Sequence, residues 1–148
     1  MTTNELVEAL SVIFRASTEE PLASAAVHSY QQERYDTSKD VLVTGWAIEG
    51  EVLDLAIGNQ GRTIVTIKPR ALLFSSTEDT IAGQRAPGLM VEAIRKILVT
   101  AANRSITAGG DTAERNSNIT WVHGYDEIDE RQVQAVDFSV TYRIPPDV

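Results

Sequence analysis

The sequence predicts an α+β fold, in which helices pack on one face of a mostly antiparallel sheet. Two segments repeat apolar residues at helical spacing, and runs rich in β-branched and aromatic residues follow each of them. The last of these runs alternates strictly between apolar and polar side chains, as a strand with one dry face does. At 148 residues, the chain is long enough for a single α+β domain over residues 1–148 and short for two.

The first helix is predicted from about Asn4 to Ala16. Thr2 and Glu5 have the spacing of a capping box, in which the hydroxyl and the carboxylate each accept a free backbone amide. The helix must end at or before Pro21, since proline cannot continue it. Its apolar stripe consists of Leu6, Leu10, Ile13 and Phe14.

The middle of the chain predicts strands. Residues 22–40 indicate irregular structure or a short element, and Val41–Ile48 is rich in strand-forming residues. Gly58, Asn59 and Gly61 indicate a turn, which favours a hairpin. Residues 63–74 then form a second strand, in which Pro69 indicates an edge or a bend.

The second half predicts one helix and two closing strands. Pro87 suits the first position of the helix, and the apolar spacing continues to Ala101. Residues 103–118 are rich in turn-forming residues and are expected to be a long loop. The closing strands are residues 119–125 and Val133–Ile144, and the dry face of the last comprises Val136, Phe138, Val140, Tyr142 and Ile144.

Charge and composition exclude several classes of protein. The net charge of -8 disfavours a broad grip on a nucleic-acid backbone. There is no cysteine, so disulfides, thiolate metal sites and a cysteine nucleophile are excluded. The first residues lack the basic and apolar regions of a signal peptide, and no apolar run is long enough to span a membrane, so no membrane association is expected.

An acidic run near the end of the chain is the most conspicuous candidate site. Its spacing fits a calcium loop poorly, because such a loop needs alternating oxygen ligands, a central glycine and a distal glutamate. A solvated turn between two antiparallel strands is the favoured interpretation for any single residue of the run. The run comprises Asp126, Glu127, Asp129 and Glu130, with Asp137 further along.

No motif in the sequence predicts catalysis. His28 and His123 lie far apart, and a zinc site needs three or four ligands. Residues 58–62 resemble a phosphate loop only in their glycines, since they lack its lysine and precede a strand. There is no nucleophile elbow. We therefore predict no catalytic, cofactor-binding or metal-binding residue, and a binding or structural protein.

The end of the chain resembles tail terminator (tail completion) proteins of long-tailed bacteriophages. Members of that family end in a Y-D-x-x-D-like turn, a polar gap and a strand of the form A-x-D-[LF]-x-V-x-Y. The order of elements before it, a short amphipathic helix, strands and one further helix, is also similar. The matching residues are Tyr125, Asp126 and Asp129, then Ala135, Asp137, Phe138, Val140 and Tyr142.

The resemblance implies a structural virion protein of the tail neck, assembled in the host cytoplasm, without catalysis or cofactor. It implies a hexameric ring that caps the head-proximal end of the tail tube, stops tube growth and offers a surface for head attachment. The implied partners are further copies of the chain, the tail tube protein and a head-completion or connector protein, with the sheath protein as another candidate. DNA would pass through the ring without specific binding.

Charged residues can be assigned to this role as hypotheses. The acidic run, Asp126, Glu127, Asp129 and Glu130, would face the ring lumen or meet a basic patch on a neighbouring ring. Arg62, Lys68 and Arg70 would contact acidic patches on the next subunit. Two alternatives stay open: a head-tail adaptor or another tube- or sheath-associated component, and a small-ligand-binding protein or enzyme without a recognisable motif.

Overall fold

The computed structural model describes residues 1–30, 32, 34, 41–44, 47–53, 62–74, 80–115 and 118–144. Two α-helices lie in these ranges, α1 (Thr3–Arg15) and α2 (Ile81–Val99), with short 3₁₀ turns at Leu22–Ser24 and Ala101–Asn103. Neither α1 nor α2 is long and apolar enough to cross a membrane.

The described strands belong to one sheet built around its last strand, and the fold class is α+β as predicted. All strand pairs are antiparallel except the pair β1–β2. The strands are β1 (Ala26–His28), β2 (Val41–Thr44), β3 (Ala47–Leu53), β4 (Arg62–Ile67), β5 (Arg70–Leu73), β6 (Ser105–Ala108), β7 (Asp111–Arg115), β8 (Thr120–Ile128) and β9 (Arg131–Ile144).

Strand β9 has neighbours on both edges. On one edge it pairs with β5 through its first half and with β4 through its second half. On the other edge it pairs with β8 through its first half and with β7 near its end. Strand β3 lies outside β4, β2 and β1 lie outside β5, and β6 lies outside β7. The outer strands β8 and β3 therefore form opposite edges of the sheet.

The predicted dry face of β9 is confirmed. Val136, Phe138, Val140 and Tyr142 are at most 1% exposed, and they share one core with the apolar stripe of α1 and the buried face of α2. Both helices therefore pack on the same side of the sheet, which is called the helix side below. Fully burying one such side chain stabilises the fold by roughly 1.5–3 kcal/mol.

The first helix forms as its sequence predicts. The Thr2 side chain accepts the backbone amide of Glu5 at 3.1 Å, and the Glu5 carboxylate accepts the amide of Thr2 at 2.7 Å. The capping box is therefore complete. The helix ends at Arg15, whose guanidinium donates two hydrogen bonds to the Val27 carbonyl in β1.

The predicted start of the second helix is wrong. It begins at Ile81 rather than at Pro87, and Thr80 caps it by accepting the amide of Gly83. Pro87 therefore lies inside the helix, where it has no amide for the Gly83 carbonyl, its partner four residues earlier. The buried side chain of Gln134 supplies the missing donor, with its Nε2 at 2.8 Å from the Gly83 oxygen. A side chain from β9 thus stabilises a helix that its own sequence interrupts.

The predicted strand over residues 63–74 is two strands. Lys68 and Pro69 separate β4 from β5, and both keep the same register along β9. The Pro69 carbonyl still accepts the amide of Phe138 at 2.9 Å. A proline at this bend costs little, because pairing continues through its carbonyl.

Other predicted boundaries also change. The predicted strand over Val41–Ile48 corresponds to β2, which pairs with β5, and to the start of β3, which pairs with β4. The predicted turn residues Gly58, Asn59 and Gly61 lie outside the described residues.

The loop predicted over residues 103–118 contains a hairpin. Strands β6 and β7 pair through Gly109 and Gly110, which adopt φ of 59° and 82°. Two consecutive positive φ values are the geometry of a type I′ turn, for which a glycine pair is well suited. The prediction was wrong because the glycine pair was taken as loop composition, although buried Ile106 and Ala113 flank it at strand spacing.

Tyr142 places a polar atom in the core without a described hydrogen-bond partner. The Tyr142 side chain is fully buried, and its hydroxyl has no hydrogen bond among the described residues. Burial also raises the pKa of Tyr142 above its ordinary value of 10.0, and nearby Arg115 lowers it by a smaller amount. An unpaired buried hydroxyl costs about 1–3 kcal/mol.

We therefore expect Tyr142→Phe to raise the free energy of unfolding at neutral pH by about 1 kcal/mol. Above pH 10 the unfolded chain loses the phenol proton while the folded chain keeps it, so wild-type stability falls as pH rises. The variant should lose less stability there. Denaturant titrations from neutral to alkaline pH measure both effects. A loss of more than 1 kcal/mol at neutral pH would contradict the prediction.

Candidate functional site

The acidic run lies in the β8–β9 hairpin. Asp126 and Glu127 are in β8, rather than in the turn predicted for them, and pair with Val133 and Gln132. The turn itself consists of only Asp129 and Glu130, which adopt φ of 51° and 62°. Glu127, Asp129 and Glu130 are exposed, so the hairpin tip presents three carboxylates to solvent.

The tip adopts a backbone conformation that its residues disfavour. Two residues at positive φ make a type I′ turn, in which asparagine and glycine are preferred. A glutamate in this region is strained by about 1 kcal/mol. Glu130 therefore occupies a position that glycine would fill with less strain.

We expect the double substitution Asp129→Asn and Glu130→Gly to stabilise the protein by about 1 kcal/mol. Both new residues accept positive φ, and they remove two neighbouring like charges. Thermal unfolding measures the gain. The double variant Asp129→Asn and Glu130→Gln removes the same charges but keeps a side chain at position 130, where φ is positive. It should therefore gain less stability than the glycine variant. Equal stability of the two variants would contradict the strain argument.

Arg70 joins two carboxylates on the side of the sheet opposite the helices. Its Nε lies 2.7 Å from Asp137 Oδ1, and its Nη1 lies 2.5 Å from Asp126 Oδ2. The hydrogen bond to Asp137 is the largest cause of a raised pKa for Arg70. The cluster joins β5, β8 and β9. The positive charge of Arg70 is therefore paired with carboxylates of its own chain.

The remaining candidate contacts are less well placed. Lys68 Nζ lies 3.5 Å from Glu49, so this cation also has an acidic partner within the chain. Arg62 begins β4 opposite Leu53, and its side chain lies outside the described residues. Lys68 and Arg70 therefore contribute to local ion pairs rather than to one free basic patch.

The feature that the sequence did not predict is the exposure of β8. Trp121 and Tyr125 are 45% and 47% exposed on the helix side, and Val122 is 69% exposed on the other side. Neither helix covers this strand, although His123 Nε2 lies 3.0 Å from Gln134 Oε1 and its ring contacts Tyr125 edge-on. The available signal was the lack of strict alternation in residues 120–128.

Strand β8 is also an open edge of the sheet. Among the described strands it pairs only with β9, over nine consecutive residues from Thr120 to Ile128. Unpaired backbone groups along such an edge can bind another strand. A long edge with two exposed aromatic side chains is therefore the candidate site that the geometry supports best.

Ligand and metal chemistry has little support in the part of the chain that the structure describes. No group of three or more histidine, aspartate and glutamate side chains there could hold a metal ion. An open groove of about 380 Å³ lies between the ends of α1 and α2, where Lys96 and Glu19 form an ion pair 3.3 Å long. This groove is the first place to examine if a small molecule binds.

Comparisons with known proteins do not identify the chain. No family model matches it, and no curated protein matches it. One solved structure, whose name states no function, covers 97% of this chain and 93% of its own length. Its sequence identity is 12% and its TM-score is 0.46, a likeness too low to carry an argument about this protein.

Proposed function

We propose that this protein is a tail terminator of a long-tailed bacteriophage, a structural virion protein without catalytic activity. In this proposal it forms a hexameric ring on the head-proximal end of the tail tube, stops tube growth and presents a surface for head attachment. Its partners are further copies of the chain, the tail tube protein and a head-completion or connector protein. The observation that carries the proposal is the open nine-residue edge of β8, because an exposed strand edge can pair with a neighbouring subunit.

The residues that resemble the terminator family support the same proposal. All of them lie in the β8–β9 hairpin, which contains the acidic tip, the open edge and the central strand of the core. The matching residues therefore form one continuous structural unit rather than scattered positions. Two of its carboxylates, Asp126 and Asp137, bind the same Arg70, so they have a structural role in addition to any role in assembly.

The acidic tip has a role in this proposal. Glu127, Asp129 and Glu130 would face the lumen and repel the phosphates of passing DNA, or they would meet a basic patch on a neighbouring ring. Replacing them and Asp126 by the corresponding amides tests both versions. We expect fewer infectious particles, and a normal yield would contradict both roles without affecting the ring itself.

The ring is tested directly with the purified chain. Light scattering and negative-stain electron microscopy should show particles with the mass of six chains and a central hole, at high protein concentration or on purified tail tubes. Monomers under both conditions would contradict the proposal. Particles of another closed size would retain a ring and change the copy number that the family resemblance implies.

A further inference from the structure

Two edges of the sheet are open among the described strands. Of these strands, β8 pairs only with β9 at one edge of the sheet, and β3 pairs only with β4 at the opposite edge. The other outer strands are short or covered. In β1 the Val27 carbonyl accepts two hydrogen bonds from Arg15, and the four-residue β6 packs against α1 through buried Ile106. Long open edges are therefore found at β8 and β3.

The two open edges carry matching side chains. Val52 in β3 is 70% exposed and lies on the helix side, since its neighbour Thr63 pairs with Ile144 of the core. Trp121 in β8 lies on the helix side as well, because it pairs with Phe138. Each edge thus has an exposed apolar side chain on the helix side. On the other side of the sheet, β3 carries Glu49 and Glu51, and β8 carries Asp126.

An antiparallel contact between these edges avoids like charges. If Val52 lies opposite Trp121, then Glu51 lies opposite Val122 and Glu49 lies opposite Gly124. No carboxylate then faces another directly across the pair, and an aromatic side chain meets a β-branched one, which stabilises such pairs. Lys68 pairs with Glu49, and Arg70 pairs with Asp126 as well as Asp137, so the diagonal repulsion between Glu49 and Asp126 across the contact is reduced.

The same contact places two neighbouring copies of the chain in the same orientation. Strand β8 runs antiparallel to β9, whereas β3 runs parallel to it through β4. An antiparallel β8–β3 contact therefore makes the β9 strands of the two copies parallel. Each copy keeps one edge free for the next, as a head-to-tail interface requires, and such an interface closes into a ring or continues as a filament. A two-fold contact between two β8 edges would stop at a dimer.

We propose that the outer edge of β8 in one copy binds the outer edge of β3 in the next copy, extending the sheet from subunit to subunit. This inference rests on the proposed ring and names the surfaces that form it. The partner that fits the β8 edge is a second copy of this chain.

Cysteine cross-linking tests the contact, because the chain has no cysteine of its own. Glu51→Cys in β3 and Thr120→Cys in β8 are both exposed, lie on the side away from the helices, and leave Trp121, Tyr125 and Val52 intact. Circular dichroism first verifies that each variant folds. Treatment of the purified double variant at high concentration with a short bis-maleimide should yield a ladder of covalent oligomers that ends at the ring.

The control variants separate the outcomes. Each single variant should remain uncross-linked, and an equal mixture of the two should give dimers alone. Dimers from Thr120→Cys by itself would overturn the inference in favour of a two-fold β8 contact. Rings in electron micrographs without a ladder would overturn the inference and leave the proposed function standing. The absence of both rings and a ladder would contradict the inference and the proposed function together.

Discussion

Replacing Gln134 by methionine is expected to lower the free energy of unfolding by about 2 kcal/mol. Methionine fills nearly the same volume but cannot donate a hydrogen bond, so the Gly83 carbonyl beside Pro87 loses its donor. A buried carbonyl without a partner costs about 1–3 kcal/mol. Urea titration measures the loss, and Gln132→Met, on the same strand but exposed, should change stability by less than about 0.5 kcal/mol. An equal effect of both substitutions would contradict the assignment.

A double-mutant cycle with Pro87→Ala isolates the reason for this loss. Alanine at position 87 restores the backbone amide, which can donate to Gly83 within the helix. The Gly83 carbonyl then has a second donor, so Gln134→Met should cost less than half as much in the alanine background. A coupling near zero would mean that Gln134 stabilises the fold through packing, or through its contact with His123, instead of through the interrupted helix.

If the chain forms the proposed ring, replacing Trp121 and Tyr125 together by serine is expected to weaken its assembly at least about 30-fold while the monomer stays folded. Both side chains are about half exposed in the subunit, so they contribute little to its core. Buried aromatic side chains dominate interface energies, and a loss of about 2 kcal/mol corresponds to that factor. Sedimentation across a concentration series measures the association.

The chain offers a matched control for this pair. Tyr30 is 39% exposed and contacts Glu8 of α1 rather than β8. We expect Tyr30→Ser to leave association unchanged, as expected also for Val12→Ser on the exposed side of α1. If the control variants weaken assembly as much as the β8 variant, the assembling surface lies on α1, and the edge of β8 loses its role.

The parts of the fold that follow from local pattern were predictable from the sequence. The Thr2–Glu5 capping box and the alternation of β9 are complete within a few residues, so propensity and periodicity determine them. The hairpin at Gly109 and Gly110 was also predictable, because a glycine pair between short alternating segments is a strong turn signal.

Other features depend on residues far apart in the chain. A helix through Pro87 is stable because Gln134, 51 residues from Gly83, supplies its donor. Arg70 binds Asp126 and Asp137 across three strands, which spacing within any one strand does not reveal. The exposure of Trp121 depends on which strands the helices cover, and tertiary packing decides that.

The proposal that this protein ends tail growth is tested most directly by electron microscopy of particles made when its gene is interrupted in the source genome. The account predicts tails of abnormal, uncontrolled length, mostly without heads, and rescue by the wild-type chain but not by the Trp121 and Tyr125 double variant. Tails of normal length that fail to join heads would assign the protein to the connector side. A lysate indistinguishable from wild type would contradict the tail assignment altogether.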